Sequence, residues 1–156
     1  MPHYHTGETK LKRSDIVLFD AGVVVDGYCS DMTRTFFFGK PISDLVPILD
    51  TVKNAQAASC KASKSGVMLK DLDQIAREVM AKEGLEEYFV HSLGHGIGLE
   101  VHEPPRVASQ GADKNLKLKS GMVITIEPGL YVPGLGGVRW EDTIAINRRG
   151  YQNFYS

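Results

Sequence analysis

The chain has 156 residues, of which 42% are hydrophobic and 24% are charged, proportions typical of a globular domain. Its formal net charge of -1 leaves no basic excess for a nucleic-acid partner or an anionic membrane surface. Cys29 and Cys60 cannot form a disulfide framework, and no apolar run approaches the ~20 residues of a membrane span, so we predict a cytoplasmic protein.

Three runs of strand-forming residues lie between positions 16 and 38. Residues 16–19 are uninterruptedly apolar, residues 23–25 are β-branched and stop at the turn dipeptide Asp26-Gly27, and residues 33–38 stop at Gly39. Their spacing predicts a short antiparallel meander of three strands.

The hydrophobic period then changes to steps of three and four residues, which predicts a first helix. Ser43 or Asp44 supplies its N-cap, and Pro47 is tolerated only in its first turn. The side chains on its buried face are Ile48, Leu49, Val52, Ala55 and Ser59.

A second helix is predicted after Gly66. Asp71 and Asp73 lie near its positive N-terminus, and Gly84 fits the position just beyond its last residue. Its apolar stripe comprises Leu69, Leu72, Ile75, Ala76, Val79 and Met80.

The second half of the chain returns to strands and loops. No linker or compositional shift divides it from the first half, so we predict a single domain over residues 1–156. The segments concerned are residues 87–91, residues 94–98, Pro104-Pro105, residues 122–127 and residues 138–146.

Four carboxylates fall at strand ends or inside strongly apolar strands. Asp20 ends the first predicted strand and Asp31 precedes the third, so folding of the meander can bring them together. Glu127 and Glu141 lie in apolar strands, where an inward-facing carboxylate is costly unless a cation meets it. Each pair alone also fits an ordinary role, as turn residues or as water-facing positions of an alternating strand.

Three of the five histidines, His91, His95 and His102, lie within a short segment. The first two have the i, i+4 spacing of a helical metal site, but the glycines at 94, 96 and 98 favour a loop or strand. The cluster alone is equally compatible with a functional and a structural role.

The combination of these groups is more informative than any of them alone. Four carboxylates in one pocket raise each other's pKa values unless cations balance their charge. Two divalent ions would balance four carboxylates and one imidazole, and this donor set suits Mn²⁺ best, with Co²⁺, Zn²⁺ or Fe²⁺ also acceptable.

Six short segments occur in order along the chain: Asp20-Ala-Gly, Ser30-Asp31-Met-Thr-Arg-Thr, Gly94-His95-Gly-Ile-Gly, Val101-His102-Glu-Pro, Ile126-Glu127-Pro-Gly and Arg139-Trp-Glu141-Asp-Thr. With these segments the chain resembles the dinuclear metallopeptidases of the pita-bread fold, which include methionine aminopeptidase, aminopeptidase P and prolidase. The resemblance spans almost the whole chain. It implies an α+β fold in which helices cover the outer face of a curved antiparallel sheet.

The resemblance also implies a ligand set and a substrate. Asp31 and Glu141 would bridge two ions, and the segments around Asp31, Glu127 and Arg139 are similar to those of the proline-directed branch. We therefore expect hydrolysis of Xaa-Pro bonds in proline-containing peptides by a hydroxide that bridges the ions. The five implied ligands are Asp20, Asp31, His95, Glu127 and Glu141.

Further roles follow from the same resemblance. Glu127 would also act as the general base, Arg139 would support the carboxylate cluster, and three histidines would surround the substrate: His3, His91 and His102. A non-catalytic peptide- or protein-binding module on the same fold and a methionine-type aminopeptidase remain alternatives.

From the resemblance we expect that the chain lacks the N-terminal part of the family's fold. We expect the first sheet to be incompletely covered, with an exposed apolar patch around Ile16, Leu18 and Phe37. Such a patch predicts a homodimer, or a chain that is part of a longer protein.

Overall fold

The computed structural model describes residues 7–155. Within this range four strands precede two helices, and seven strands follow them, which confirms the α+β class. The elements are β1 (Asp15–Ala21), β2 (Val24–Val25), β3 (Tyr28–Cys29), β4 (Met32–Phe38), α1 (Leu45–Ala62), α2 (Leu69–Lys82), β5 (Gly94–Gly96), β6 (Glu103–Val107), β7 (Val123–Ile126), β8 (Gly129–Val132), β9 (Gly136–Arg139), β10 (Asp142–Ile146) and β11 (Tyr151–Asn153).

The first quarter of the chain is a long hairpin with a small hairpin at its end. β1 pairs with β4, and β2 pairs with β3, so the predicted three-stranded meander is wrong. The cause is the turn at Asp26 and Gly27, which both have positive φ (51° and 86°). Two such residues close a tight hairpin, so residues 23–25 fold back onto Tyr28 and Cys29 instead of following β1.

The two helices form as their periodicity predicts, and they pack against each other. α1 begins directly after Asp44, whose side chain makes no capping hydrogen bond, and Pro47 occupies its first turn. Gly84 follows α2 with φ of +69°, the left-handed conformation that glycine adopts most easily. Neither helix within residues 7–155 combines the length and apolarity that crossing a bilayer requires.

The main sheet has five antiparallel strands in the order β11-β10-β7-β5-β6. β8 and β9 form a separate pair beside it. α1 packs against β7, β8 and β9, and α2 packs against β6, so the helices lie together on one side of the strands. The core between these layers contains Leu45, Val52, Leu69, Leu72, Ile124, Ile126, Leu130 and Ile144.

Residues 138–146 form two strands in different sheets, whereas the sequence suggested one continuous stretch. β9 ends at Arg139, and β10 starts at Asp142. Between them the Glu141 N–H donates to the carbonyl of Thr33 at 3.1 Å, which joins the β1–β4 hairpin to the main sheet. Residues 87–91 form no strand, since a 3₁₀ turn spans Glu86–Tyr88.

An apolar surface is present on the β1–β4 hairpin, but its residues differ from those expected. Ile16 and Phe37 pair with each other and pack against the core, and Leu18 is half-buried. The exposed side chains lie on the opposite face, because neighbouring positions of a strand point to opposite sides. They are Phe19, Phe36 and Phe38, which are 52%, 52% and 48% exposed.

Candidate metal centre

The carboxylates singled out in the sequence lie at the ends of strands that converge on one cavity. Asp20 lies in β1 and Asp31 just before β4, while Glu127 follows β7 and Glu141 precedes β10. His95, in β5, completes the wall of this cavity of about 390 Å³. The long hairpin and the main sheet therefore supply two groups of ligands that face each other.

Three of these side chains form a compact group. One ligand atom from each of Asp31, His95 and Glu141 lies within 4.8 Å of the other two. His95 Nε2 is 3.8 Å from Asp31 Oδ2 and 3.3 Å from Glu127 Oε1, which places Glu127 at the edge of the same group. Distances of this order allow a single ion to contact several of these atoms after small side-chain adjustments.

Asp20 lies on the cavity wall in an ion pair with Arg139. The Asp20 carboxylate is 40% exposed, whereas Arg139 is almost completely buried. Arg139 Nε also donates to Thr33 Oγ1, and its Nη1 donates to the Tyr131 hydroxyl, both at 3.1 Å. A buried guanidinium thus stands beside the carboxylates and orients Asp20.

Two threonines orient the glutamates. Thr33 Oγ1 donates a 2.6 Å hydrogen bond to Glu141 Oε2. Thr125 Oγ1 accepts the backbone N–H of His95 at 3.1 Å and donates to Glu127 Oε1 at 3.3 Å. Both hydroxyls therefore fix a carboxylate without adding charge to the site.

The His95 ring presents its Nε2 atom to the carboxylates. Its Nδ1 atom lies 3.0 Å from the carbonyl oxygen of Gly96. Because a carbonyl can only accept, this contact holds a proton on Nδ1 and directs Nε2 into the cavity. Metal-binding histidines commonly use this arrangement.

Burial and mutual repulsion disfavour the charged carboxylates. Burial, followed by the charges of Glu127 and Asp31, raises the pKa of Glu141 to about 8. Burial and the charge of Asp20 likewise raise the pKa of Asp31. Burial lowers the pKa of His95, but its hydrogen bonds and the negative charges of Glu127 and Glu141 outweigh that effect and raise it.

These observations fit a site for divalent cations. Glu141 Oε1 is buried and has no hydrogen-bond partner among residues 7–155, although a buried carboxylate oxygen is normally satisfied. Clustered acidic oxygens with one imidazole nitrogen are also the donors that Mn²⁺ and similar ions accept. A cation at this position would both bind the orphaned oxygen and reduce the repulsion.

Two further site candidates, His91 and His102, lie around the same cavity and an adjoining one. The His102 ring lies 4.4 Å from that of His95, measured between centroids. His91 Nε2 lies 3.2 Å from the Tyr131 hydroxyl and faces a second cavity of about 430 Å³. His3 lies outside the described residues. The two cavities meet, because both are lined by His95, His102, Glu127 and Arg139.

Asp73 has a role that the sequence did not indicate. It is completely buried, whereas the sequence indicated only that it lies near the N-terminus of the second helix. Its carboxylate accepts the backbone N–H groups of Leu93 and Ser109 and the Nε–H of Arg77, whose guanidinium also binds the carbonyl of His91. The i, i+4 spacing of Asp73 and Arg77 was the available signal for this pair.

Comparison with known proteins gives consistent matches along the chain. The model of metallopeptidase family M24 matches residues 1–148. An uncharacterized peptidase of Staphylococcus aureus (strain USA300) is 49% identical over 151 residues, which is 97% of this chain and 42% of that relative. The chain therefore spans less than half the length of this relative.

Solved structures show the same relationship. A prolidase from Pyrococcus furiosus is 44% identical with a TM-score of 0.95, over 100% of this chain and 45% of that one. An X-Pro aminopeptidase from Thermotoga maritima is 35% identical with a TM-score of 0.95, over 100% of this chain and 43% of that one. These matches confirm the pita-bread fold and the predicted resemblance to the proline-directed branch.

Proposed function

The chain belongs to metallopeptidase family M24, and we propose that it hydrolyses Xaa-Pro peptide bonds with two divalent ions. Mn²⁺ suits the donor set best. The main support is the convergence of Asp31, His95 and Glu141 on one point, where a buried oxygen of Glu141 has no partner within residues 7–155. The proposed ligands are Asp20, Asp31, His95, Glu127 and Glu141.

Within this set Asp31 and Glu141 would each help to hold both ions, as the sequence resemblance implies. Their positions support the assignment. Both belong to the compact group with His95, and the charges of neighbouring carboxylates raise the pKa of each, after burial, which is the larger cause. When bound, the ions would supply Lewis acidity that polarises the scissile carbonyl and acidifies a water molecule.

Glu127 is assigned to accept the proton of the attacking water and to pass it to the leaving nitrogen of proline. Its carboxylate is 14% exposed and lines both cavities, so it is accessible to substrate and solvent. The hydroxyl of Thr125 orients Glu127 Oε1, as a general base requires.

His91 and His102 are assigned to the substrate. Both line the second cavity, where a ring N–H can donate to the oxygen that becomes negative during the reaction. Arg139 holds Asp20 and Tyr131 in place. An Xaa-Pro bond lacks an amide N–H, so this pocket must recognise the shape of the proline ring. His3 is proposed for the same group from the sequence resemblance.

The oligomeric state of the chain and its location in the cell are also proposals. The exposed Phe19, Phe36 and Phe38 support burial of this face in a homodimer or against further parts of a longer protein. Light scattering of the purified chain distinguishes a dimer from a monomer. The free thiols of Cys29 and Cys60 support a reducing, cytoplasmic location.

Two measurements test the proposed function. Chelator-treated protein is titrated with Mn²⁺ by calorimetry, and the reloaded protein is assayed with an Xaa-Pro dipeptide, a longer Xaa-Pro peptide and a peptide with N-terminal methionine. We expect two ions per chain and cleavage before proline. Preferential methionine release would contradict the substrate assignment, and a folded chain without affinity for Mn²⁺, Co²⁺ or Zn²⁺ would instead indicate a non-catalytic binding module.

A further inference from the structure

Arg34 connects two main-chain segments next to the candidate metal centre, one in β4 and one between β9 and β10. Its side chain is 16% exposed, and its Nη1 atom donates to the carbonyl of Thr33 at 2.8 Å and to the carbonyl of Glu141. Thr33 is the residue whose hydroxyl binds the Glu141 carboxylate. One guanidinium nitrogen therefore links the backbones of the hydrogen-bond donor and the acceptor.

Asp142 fixes the orientation of this guanidinium. Its Oδ1 atom accepts Arg34 Nη2 at 2.6 Å. Its Oδ2 atom accepts the side-chain amides of Gln56, from α1, at 2.8 Å and of Asn153, from β11, at 2.7 Å. Because both carboxylate oxygens are occupied and the group is buried, Asp142 is held in a single orientation.

Arg34 also contacts Trp140, the residue between Arg139 and Glu141. Arg34 Cζ lies 4.5 Å from the centroid of the Trp140 ring, and Lys53 Nζ, from α1, lies at the same distance from it. Cations at this distance from an aromatic ring are attracted to it. Trp140 and Glu141 alone separate β9 from β10, so ordering the Trp140 side chain restricts the whole connection.

We propose that Arg34, oriented by Asp142, is a positioning residue for the metal centre, an inference that rests on the proposed function. It acts through the main chain, by holding the Glu141 carboxylate and the Thr33 hydroxyl in register before an ion binds. This support matters because Glu141 is buried and its carboxylate has a single side-chain hydrogen bond, from Thr33, within the described residues.

The planar fork of arginine suits this task. One guanidinium reaches two carbonyls and a carboxylate at fixed angles, whereas the ammonium of lysine is a point charge on a flexible stem. Arg34→Lys therefore keeps the charge beside Asp142 and Trp140 but loses the fixed geometry, and Arg34→Met loses both.

Arg77 provides a matched control. Its side chain is 21% exposed, pairs with Asp73, donates to the carbonyls of Phe89 and His91, and lies 4.6 Å from the Phe89 ring centroid. It thus has the same kinds of contact as Arg34, but none with a proposed metal ligand. Arg77→Met is expected to lower stability without altering the metal centre.

The experiment compares wild type, Arg34→Met, Arg34→Lys and Arg77→Met by calorimetric titration with Mn²⁺ and by urea unfolding without metal. Loss of support around a metal site typically weakens affinity about 10- to 100-fold. We expect a loss of this size for Arg34→Met, a smaller loss for Arg34→Lys, and less than a threefold change for Arg77→Met. The absorption spectrum of bound Co²⁺ should change in the Arg34 variants only.

The outcomes separate the two proposals. Wild type that binds no metal would contradict the proposed function and with it the role of Arg34. Wild-type affinity in a folded Arg34→Met protein would overturn only the role of Arg34. If Arg34→Met does not fold, Arg34→Lys decides: unchanged affinity and an unchanged Co²⁺ spectrum overturn the inference, and altered values support it.

Discussion

Thr33 Oγ1 donates a 2.6 Å hydrogen bond to Glu141 Oε2 across a sequence separation of 108 positions. The bond connects the β1–β4 hairpin to the segment that leads into β10, so it forms only in the folded chain. It satisfies one oxygen of Glu141, while Oε1 stays buried and has no partner in the described part of the chain. The fold therefore holds this carboxylate in a position that is unfavourable without a cation.

Glu141→Gln should distinguish the effect of this carboxylate on the stability of the metal-free chain from its contribution to metal binding. The amide has nearly the same shape and never carries a charge, so the cost of burying an ionisable carboxyl group there, which Glu127 and Asp31 increase, disappears. With a pKa of about 8 for Glu141, we expect the metal-free variant to be more stable than wild type at pH 7 by about 1–3 kcal/mol. Urea unfolding in the presence of a chelator measures the difference.

The same variant should bind Mn²⁺ at least 10-fold more weakly, because it loses a charged oxygen ligand. The exposed Glu78 serves as the control, since Glu78→Gln should change neither stability nor affinity appreciably. Tight binding of two ions by Glu141→Gln would contradict the bridging assignment.

The stability of the metal-free chain should fall as pH rises. Glu141 binds its proton more tightly in the folded chain than in the unfolded one, so the native state holds more protons between about pH 4.5 and pH 8. The raised pKa values of Asp31 and His95 have the same sign. Their contributions are complete below the unfolded pKa and are lost as pH passes the folded pKa.

For Glu141 alone, the loss between pH 5 and pH 8 is about 3 kcal/mol. A series of urea titrations with chelator gives this slope, and subtraction of the Glu141→Gln series isolates the contribution of this residue. If the free energies of unfolding of the two proteins varied with pH in parallel, the pKa of Glu141 would not be raised in the folded chain.

Added Mn²⁺ should reverse this trend. Binding requires deprotonated ligands, so the stabilisation by a fixed excess of metal should increase from pH 5 to pH 8. At pH 7 the binding should also release protons, with Glu141 as one source because its pKa of about 8 keeps it protonated in the metal-free chain. Calorimetric titrations in buffers of different ionisation enthalpy count these protons, and a value near zero would contradict a raised pKa of Glu141 in the metal-free chain.

The sequence predicted which residues gather at the site, but not what holds them. Helix periodicity was sufficient for α1 and α2, whereas Asp20 and Asp31 reach one cavity through the pairing of β1 with β4 and not through the expected meander. The roles of Thr33, Arg34 and Asp142 depend on contacts between segments about a hundred positions apart, which no local pattern specifies. The predicted meander is wrong because the positive-φ turn at Asp26 and Gly27 pairs Val24 and Val25 with β3 instead of with β1.

Gly94→Ala should weaken the metal centre by separating two strands. An added Cβ at Gly94 would lie 2.0 Å from the carbonyl oxygen of Thr125, which is backbone and cannot rotate away. β5 and β7 would have to move apart, and His95 and Glu127 would move with them. We expect the free energy of unfolding to fall by about 1–3 kcal/mol, the usual cost of overpacking, and Mn²⁺ to bind more weakly.

Gly150→Ala is the control, because its Cβ would meet no atom within 4 Å. If Gly94→Ala matched Gly150→Ala in urea unfolding and Mn²⁺ titration, the close β5–β7 contact would not be what holds His95 beside Glu127.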